Sequence, residues 1–423
     1  MKYFFTLLGT LLLIVSCHKD DAPEFTKQKA ERAVMIYMAG ENNLTKSGNG
    51  KRYLNSDIQE MIEGSRQLTD KQRLFVFVDS LTSTGSTKAA PYIMEIHNGQ
   101  TYIRKQFESD FYASNPDRFE DIVGWITSNI DAESFGLVLW GHATGWIVDP
   151  DSIVSSRRAY GVDSNEDCGS KSEKWMNITQ MAQALSSQPK MDFIFADCCN
   201  MMCAEVGYEL RNATDYLIGS PAEIPGDGAP YHLIVPQFFK KGSSLYKGII
   251  DTYYDYYLEY YNESTSSSVS DLKGYSLPLA VIDTKYIRQL AEQTRDILAT
   301  FTPEYPASIS VSKVPFYIAI DSALMYDMMG VIQKNANASD FAVWESSYRQ
   351  AVPYYRMSMR WMSAYSLIYT GFHNFNQDGS YGCVSMFFPM YSTTYDSGKY
   401  RYNTTSRNYT WNNIMEWDRF GWK

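Results

Sequence analysis

The chain has 423 residues, enough for one large or two ordinary domains. Hydrophobic residues at 44% and charged residues at 20% describe a globular chain and exclude a disordered one. A net charge of −10 argues against nucleic acid as the main partner, whereas basic peptides remain compatible with it. The aromatic share is 15%, with 33 Tyr, which suggests wide aromatic surfaces or an extended groove.

The N-terminus starts with Met1-Lys2 and continues as the apolar run Phe4–Val15, shorter than a membrane span. It ends in Ile14-Val15-Ser16-Cys17, which resembles the lipobox of bacterial lipoproteins. That resemblance implies a signal peptide over 1–16, lipid on Cys17, and a polar tether over 17–32 that begins His18-Lys19-Asp20-Asp21. It further implies a lipid-anchored protein of the cell envelope, at the outer membrane or cell surface; an ordinary secretory peptide is the plainer alternative. Five cysteines then remain (168, 198, 199, 203 and 383), odd in number and unevenly spaced, unlike a disulfide framework.

Ala33–Ala39 reads as a buried strand, closed by Gly40 and the polar loop Glu41-Asn42-Asn43. Helical spacing follows over Asp57–Leu68, then a second strand, Leu74–Val78, ending at Asp79. Tyr92–His97 and Gln100–Gln106 flank Asn98-Gly99, a hairpin signal. Asn115-Pro116-Asp117 opens a helix over Phe119–Ile130. Strand Phe135–Trp140 then breaks at His142, and strand Asp192–Ala196 breaks at Cys198 and Cys199, with a helix over Thr179–Leu185 between them. Tyr216–Gly219 is a further strand, followed by the Pro- and Gly-punctuated loop Ser220–Tyr231. Alternating strands and helices predict an α/β fold, its largely parallel central sheet covered by helices on both faces. Beyond residue 235 the pattern loosens. Helices are expected over Ile249–Tyr261 and Tyr286–Phe301, and strands over Leu277–Ile282 and Tyr381–Pro389. The expected division is a core over 33–235 with an α+β region over 236–423 packed on it.

Catalytic groups of open α/β sheets collect where strands end, at the carboxyl edge. Two strands delivering a thiol and an imidazole to one edge would make a Cys–His nucleophile pair. Cys199 is expected just before a helix carrying Met202, Val206 and Leu210, whose positive end would lower the thiol pKa. The backbone N–H groups of Cys199 and Ala143 are the natural donors for an oxyanion. Plainer readings stand beside these. A lone His at a strand end is often structural, and Cys198, Cys203 and Cys383 suit core packing. A zinc site from Cys198, Cys199, Cys203 and His142 is conceivable, though adjacent cysteines diverge and no C-x-x-C pair is present. On the residues alone the catalytic and structural readings both remain open.

Trp140-Gly141-His142-Ala143-Thr144-Gly145-Trp146, with Asp197-Cys198-Cys199-Asn200-Met201 and Glu205–Leu210, resembles the clostripain-like cysteine peptidases of the caspase, gingipain and legumain clan. Ala33–Leu44 and Ser220–Tyr231 resemble that family's first strand and its later S-x-E-x-x-P-G-x-G loop. The resemblance implies a caspase-like α/β sandwich and an endopeptidase cutting after Arg or Lys through a thioacyl intermediate. It implies His142 as general base, Cys199 rather than Cys198 as nucleophile, and Asp197 and Asp227 as acids for a basic substrate side chain. Relatives are often zymogens cut between the catalytic residues, where Arg157, Arg158, Lys171 and Lys174 offer sites here. Ala143 in place of a usual Gly, and Pro221 in the later loop, depart from the pattern. No cofactor is implied as a requirement, and no metal ligand is read from the sequence. Calcium, needed by some relatives, finds no support because Asp163, Glu166 and Asp167 have no ligand spacing. Expected partners are peptides or proteins with a basic residue before the cut, and a membrane through the N-terminal lipid. The alternative from another class is a non-catalytic surface-binding lipoprotein on a peptidase-like fold.

Overall fold

The computed structural model describes residues 29–46, 50–81, 89–147, 160–163, 174–262, 277–301, 309–320, 322–357, 360–366, 369–374, 381–388 and 401–417. The lipobox, Cys17, Arg157, Arg158 and Lys171 lie outside them.

The first strands are β1 (Arg32–Gly40), β2 (Gln72–Ser80), β3 (Tyr92–His97), β4 (Gln100–Gln106) and β5 (Phe135–Trp140). A short ribbon, β6 (Tyr160–Asp163) with β7 (Lys174–Met176), precedes β8 (Met191–Asp197), β9 (Thr214–Gly219) and β10 (Leu279–Asp283). The remaining strands are β11 (Phe316–Ile320), β12 (Ser322–Asp327), β13 (Tyr354–Arg356), β14 (Arg360–Ser366), β15 (Tyr369–Asn374) and β16 (Ser385–Phe387). A nine-stranded sheet runs in the order β13-β10-β9-β8-β5-β1-β2-β3-β4. Its middle, β9-β8-β5-β1-β2, is parallel, and antiparallel strands finish both edges. A second sheet follows the order β15-β14-β11-β12-β16.

The parallel strands are near-continuous apolar runs because both of their faces are covered. Alternate side chains divide between two cores, as the period of two requires. Met35, Tyr37, Leu137, Leu139, Ile194 and Ala196 pack on one side against α2 (Pro116–Asn129), α3 (Ile178–Leu185) and α7 (Thr284–Phe301). Ile36, Met38, Val138, Trp140, Phe193 and Phe195 pack on the other against α1 (Tyr53–Gly64), α5 (Tyr231–Ile234) and α6 (Ser243–Asn262). Each Val, Leu, Ile, Met or Phe side chain among these, fully buried, contributes about 1.5–3 kcal/mol. The fold is thus an α/β sandwich.

Local signals account for several boundaries. Asn115 caps α2, its side chain accepting from the N–H groups of Asp117 and Arg118, and Pro116 takes the first helical position. Asn98 and Gly99 turn the β3–β4 hairpin with φ of 46° and 77°. The strand expected over Tyr381–Pro389 shortens to β16. Gly382 and Cys383 turn their N–H groups onto the Asp327 carboxylate, and Cys383 takes φ 60°, which breaks the extended run. Beyond residue 235 the chain adds β10 and β13 to the main sheet and builds the whole of the second one. Among the described residues no helix is long and apolar enough to cross a membrane.

Candidate active site

Strand order reverses between β1 and β5: β2 lies beyond β1 on one side, β8 and β9 beyond β5 on the other. Such a switch opens a crevice at the carboxyl edge of a parallel sheet. Register decides what reaches it. Met38 pairs with Trp140, and Trp140 pairs with Asp197. His142 and Cys199 therefore stand two residues beyond matched positions on neighbouring parallel strands. The loops carrying them touch: a Cβ on Gly145, at φ +67°, would lie 2.5 Å from the Asn200 carbonyl oxygen. Asn200 itself takes φ 61°, a sharp turn directly after Cys199.

His142 is half-buried, and its Nε2 lies 2.6 Å from Asn43 Oδ1 in the loop after β1. An amide oxygen only accepts, so this contact calls for the Nε2–H tautomer and leaves the Nδ1 lone pair as the basic site. Burial lowers the imidazole pKa to about 4, so the ring is neutral near pH 7.

Cys199 is half-buried while Cys198, Cys203 and Cys383 are fully buried free thiols. The helix expected to activate Cys199 is displaced. It is α4 (Ala204–Glu209), it starts after Cys203, and it has only 6 residues. A dipole effect confined to the first turn does not reach a thiol that far upstream. The thiol pKa is in fact raised, by burial first and then by the Glu223 carboxylate 3.7 Å away, against the Ile224 N–H donating to Sγ at 3.4 Å. At rest the pair is a neutral thiol and a neutral imidazole. The turn is held by backbone bonds from Asn200 N–H to Ala222 and from Met202 N–H to Ser220, both 3.0 Å, and by Ser385 of β16 donating to the Met202 carbonyl. Glu205 secures the other side by accepting from the Phe387 N–H at 2.8 Å.

Asp197 ends β8 beneath this turn and is 3% exposed. It accepts from Ala229 N–H at 3.1 Å, Tyr231 O–H at 2.8 Å and Tyr253 O–H at 3.1 Å. Burial still pushes its pKa up to about 6. A second acid, Asp57 of α1, lies beside it. A Cβ on Gly228 would stand 3.1 Å from Asp197 Oδ2 and 3.3 Å from Asp57 Oδ2. Asp57 accepts from the Trp140 indole N–H at 2.6 Å, and burial followed by the Asp197 charge raises its pKa to about 9. Asp227 sits apart at the exposed rim, paired with Lys51 at 3.0 Å. Ala143 is buried and bridges to Tyr160 of the ribbon, while Lys174 opens β7.

Sequence reasoning missed Asp57, Asn43 and Glu223 as members of this site. Asn43 and Glu223 fall inside the loops whose resemblance was noted, Ala33–Leu44 and Ser220–Tyr231. Asp57 carried no signal beyond a polar residue in an amphipathic helix. The cysteines and His142 do not gather into a metal-ligating group; among the described residues Glu41, Asp79 and Asp110 do.

A caspase-like sandwich with a half-buried cysteine at the carboxyl edge of its parallel strands defines a class, the cysteine peptidases of that fold. Over residues 36–422 the chain matches the model of the clostripain family, and it belongs to that family. It is similar to a secreted C11 cysteine protease from Bacteroides thetaiotaomicron in complex with an irreversible peptide inhibitor, at 27% identity and a TM-score of 0.74, over 92% of this chain and 99% of that one. An inactive zymogen C11 protease from Parabacteroides distasonis shares the fold at 24% identity and a TM-score of 0.71, with the same coverage. A cysteine protease from B. fragilis matches at 29% identity and a TM-score of 0.50, over 59% of this chain and 96% of that one. No curated protein matches the chain.

Proposed function

We propose that this clostripain-like cysteine peptidase is an endopeptidase that cleaves after Arg or Lys through a Cys199–His142 dyad. The observation that supports the reading is the register of β5 and β8: Trp140 pairs with Asp197, so His142 and Cys199 each follow a matched position by two residues. Burial holds the imidazole pKa down and the thiol pKa up, which favours thiolate formation after substrate has bound. Sγ of Cys199 attacks the carbonyl carbon, its proton passes to His142, and His142 delivers that proton to the leaving amine. The thioacyl ester then yields to water, from which His142 takes the proton, and the thiol is regenerated. Backbone N–H groups of Ala143 and Cys199 serve the oxyanion.

The basic side chain is met by Asp197, with Asp57 beside it. A guanidinium brought against these two buried carboxyls supplies the cation that the site lacks, and charge-assisted bonds strengthen away from water. Asp227 contributes at the rim once Lys51 is displaced. Self-cleavage between β5 and β8, at Arg157, Arg158, Lys171 or Lys174, fits an enzyme of this specificity. Lipidation of Cys17 places the enzyme on the cell envelope; that the similar protease of Bacteroides thetaiotaomicron is a secreted one agrees with an extracytoplasmic address.

The test is hydrolysis of Arg-, Lys- and Leu-amide reporters by purified protein. Cleavage of the basic reporters, lost in Cys199→Ala and kept in Cys198→Ala, is expected. Intact Arg and Lys reporters after any self-cleavage, with no labelling by a thiol-directed peptide, would sink the proposal.

A further inference from the structure

Asp57 belongs to none of the sequence motifs, yet α1 carries it to the floor of the proposed specificity pocket, where it is 2% exposed. Its Oδ2 and that of Asp197 flank the same bare Cα, that of Gly228. Two buried carboxyls so placed resist ionising together, because each raises the cost of charge on the other. In principle the proton they retain belongs to the pair. Hydrogen bonds decide where it sits. Asp197 takes three donors, Ala229 N–H and Tyr231 O–H on Oδ2 and Tyr253 O–H on Oδ1, so both of its oxygens accept, as in a carboxylate. Among the described residues Asp57 takes one, the Trp140 indole N–H on Oδ2, which leaves Oδ1 to carry a proton. The other groups that act on Asp57 do not neutralise it. Glu60, one turn along α1, and Asp227, in the loop after β9, are acids, while Tyr231 of α5 and Tyr257 of α6 face it with phenols. The basic groups close to these acids lie further out, His232 at 3.1 Å from Glu60 and Lys51 at 3.0 Å from Asp227. Burial and the Asp197 charge accordingly push the Asp57 pKa up to about 9, against about 6 for Asp197.

We propose that Asp57 is a specificity-determining residue of this pocket, protonated while the pocket is empty and losing its proton to solvent when a basic side chain enters. The inference rests on the peptidase reading above and deepens it. The O–H bond of the Asp57 carboxyl breaks, the proton passes to bulk buffer, and the carboxylate left behind pairs with the incoming guanidinium or ammonium. A neutral side chain drives no such exchange, since expelling the proton beside Asp197 without a cation would leave two like charges buried together. Proton release ties affinity to pH. A cation binds more tightly as pH rises, by close to tenfold per unit at about pH 7 to 8, and its affinity levels off above about 9, where Asp57 is already ionised.

The test is titration calorimetry of the purified wild-type chain, after any self-cleavage, with benzamidine hydrochloride, whose amidinium keeps its charge over this range. Heats at about pH 7.5 in buffers of different ionisation enthalpy count the protons. Expected are close to one proton released per benzamidinium bound and a Kd that falls roughly eightfold between about pH 7.5 and 8.5. Asp57→Asn, which keeps an acceptor for Trp140, should release almost no protons and bind with a Kd flat over that interval. At about pH 8.5 the same variant should lose at least tenfold in kcat/KM on an Arg-amide reporter and little on a Leu-amide one, a difference that a merely structural role would not produce. No binding, or binding without proton release, in the wild-type chain overturns the inference even if the variant fails to fold, and undiminished release in Asp57→Asn overturns it too. Arg cleavage without proton release sinks this inference alone; proton-coupled binding beside an intact Arg reporter sinks the peptidase reading alone.

Discussion

Replacing Asp197 with Asn separates a carboxylate kept for substrate from one kept for the fold. The acid is buried, and its pKa rises from an ordinary carboxylate value to about 6. A carboxyl whose folded pKa lies above its unfolded one binds its proton more tightly when folded. Stability is therefore fully present below the unfolded pKa near 4, falls as pH rises from there to about 6, and stays low above. A shift of about two units costs the ionised fold on the order of 3 kcal/mol at pH 7. Asparagine avoids that charge but returns one amide oxygen, where Asp197 accepts from Ala229, Tyr231 and Tyr253. Losing a charge-assisted bond among these gives back about 1.5–3 kcal/mol. The two effects nearly cancel, so the melting temperature at pH 7 should move little and should lose its fall between pH 4 and 6. Activity should behave otherwise. A buried charge pair with a substrate guanidinium is worth about 2–5 kcal/mol on truncation, so kcat/KM on an Arg-amide reporter should drop about thirtyfold or more. Weak cleavage of a Leu reporter should be spared. Equal loss on both reporters together with a large fall in melting temperature would show Asp197 to be structural. Undiminished Arg cleavage would remove it from the pocket.

Three more outcomes bear on the proposed dyad. Glu223→Gln deletes a negative charge that holds the Cys199 thiol pKa up, so the midpoint of the iodoacetamide alkylation profile should move to lower pH; an unmoved midpoint rejects the electrostatic link. Asn43→Ala removes the acceptor on His142 Nε2 and should cut kcat roughly tenfold with KM nearly constant. Asn43→Asp should instead raise the imidazole pKa from about 4 and carry the acid limb of the rate profile upward with it. Wild-type kcat in the first variant and an unshifted limb in the second would exclude Asn43 as a positioning residue.

Much of this protein can be read directly from its sequence. Apolar runs bounded by turn residues mark β1, β2, β5 and β8, because a strand buried on both faces admits few polar side chains. Asn115-Pro116 and Asn98-Gly99 mark a helix start and a hairpin, because both signals act within a few residues. The breaks at His142 and Cys199 are equally local, and the motifs around them carry the family resemblance. What sequence alone leaves open is whatever depends on strands and helices far apart in the chain. The helix after Cys199 begins later than periodicity suggests, since Ala222, Ser220 and β16 hold the intervening turn through backbone bonds that leave no mark in side-chain pattern. Asp57 meets Asp197 only because α1 packs under Trp140, and Glu41 meets Asp79 and Asp110 only because β1 and β2 are neighbours. Sequence by itself determined the strands of the parallel sheet, β1, β2, β5, β8 and β9, and which side chains stand at their ends, since propensity and burial are properties of short stretches. The sheet's order and register alone decided which of those ends share a crevice, because proximity across parallel strands is set by packing and not by separation along the chain.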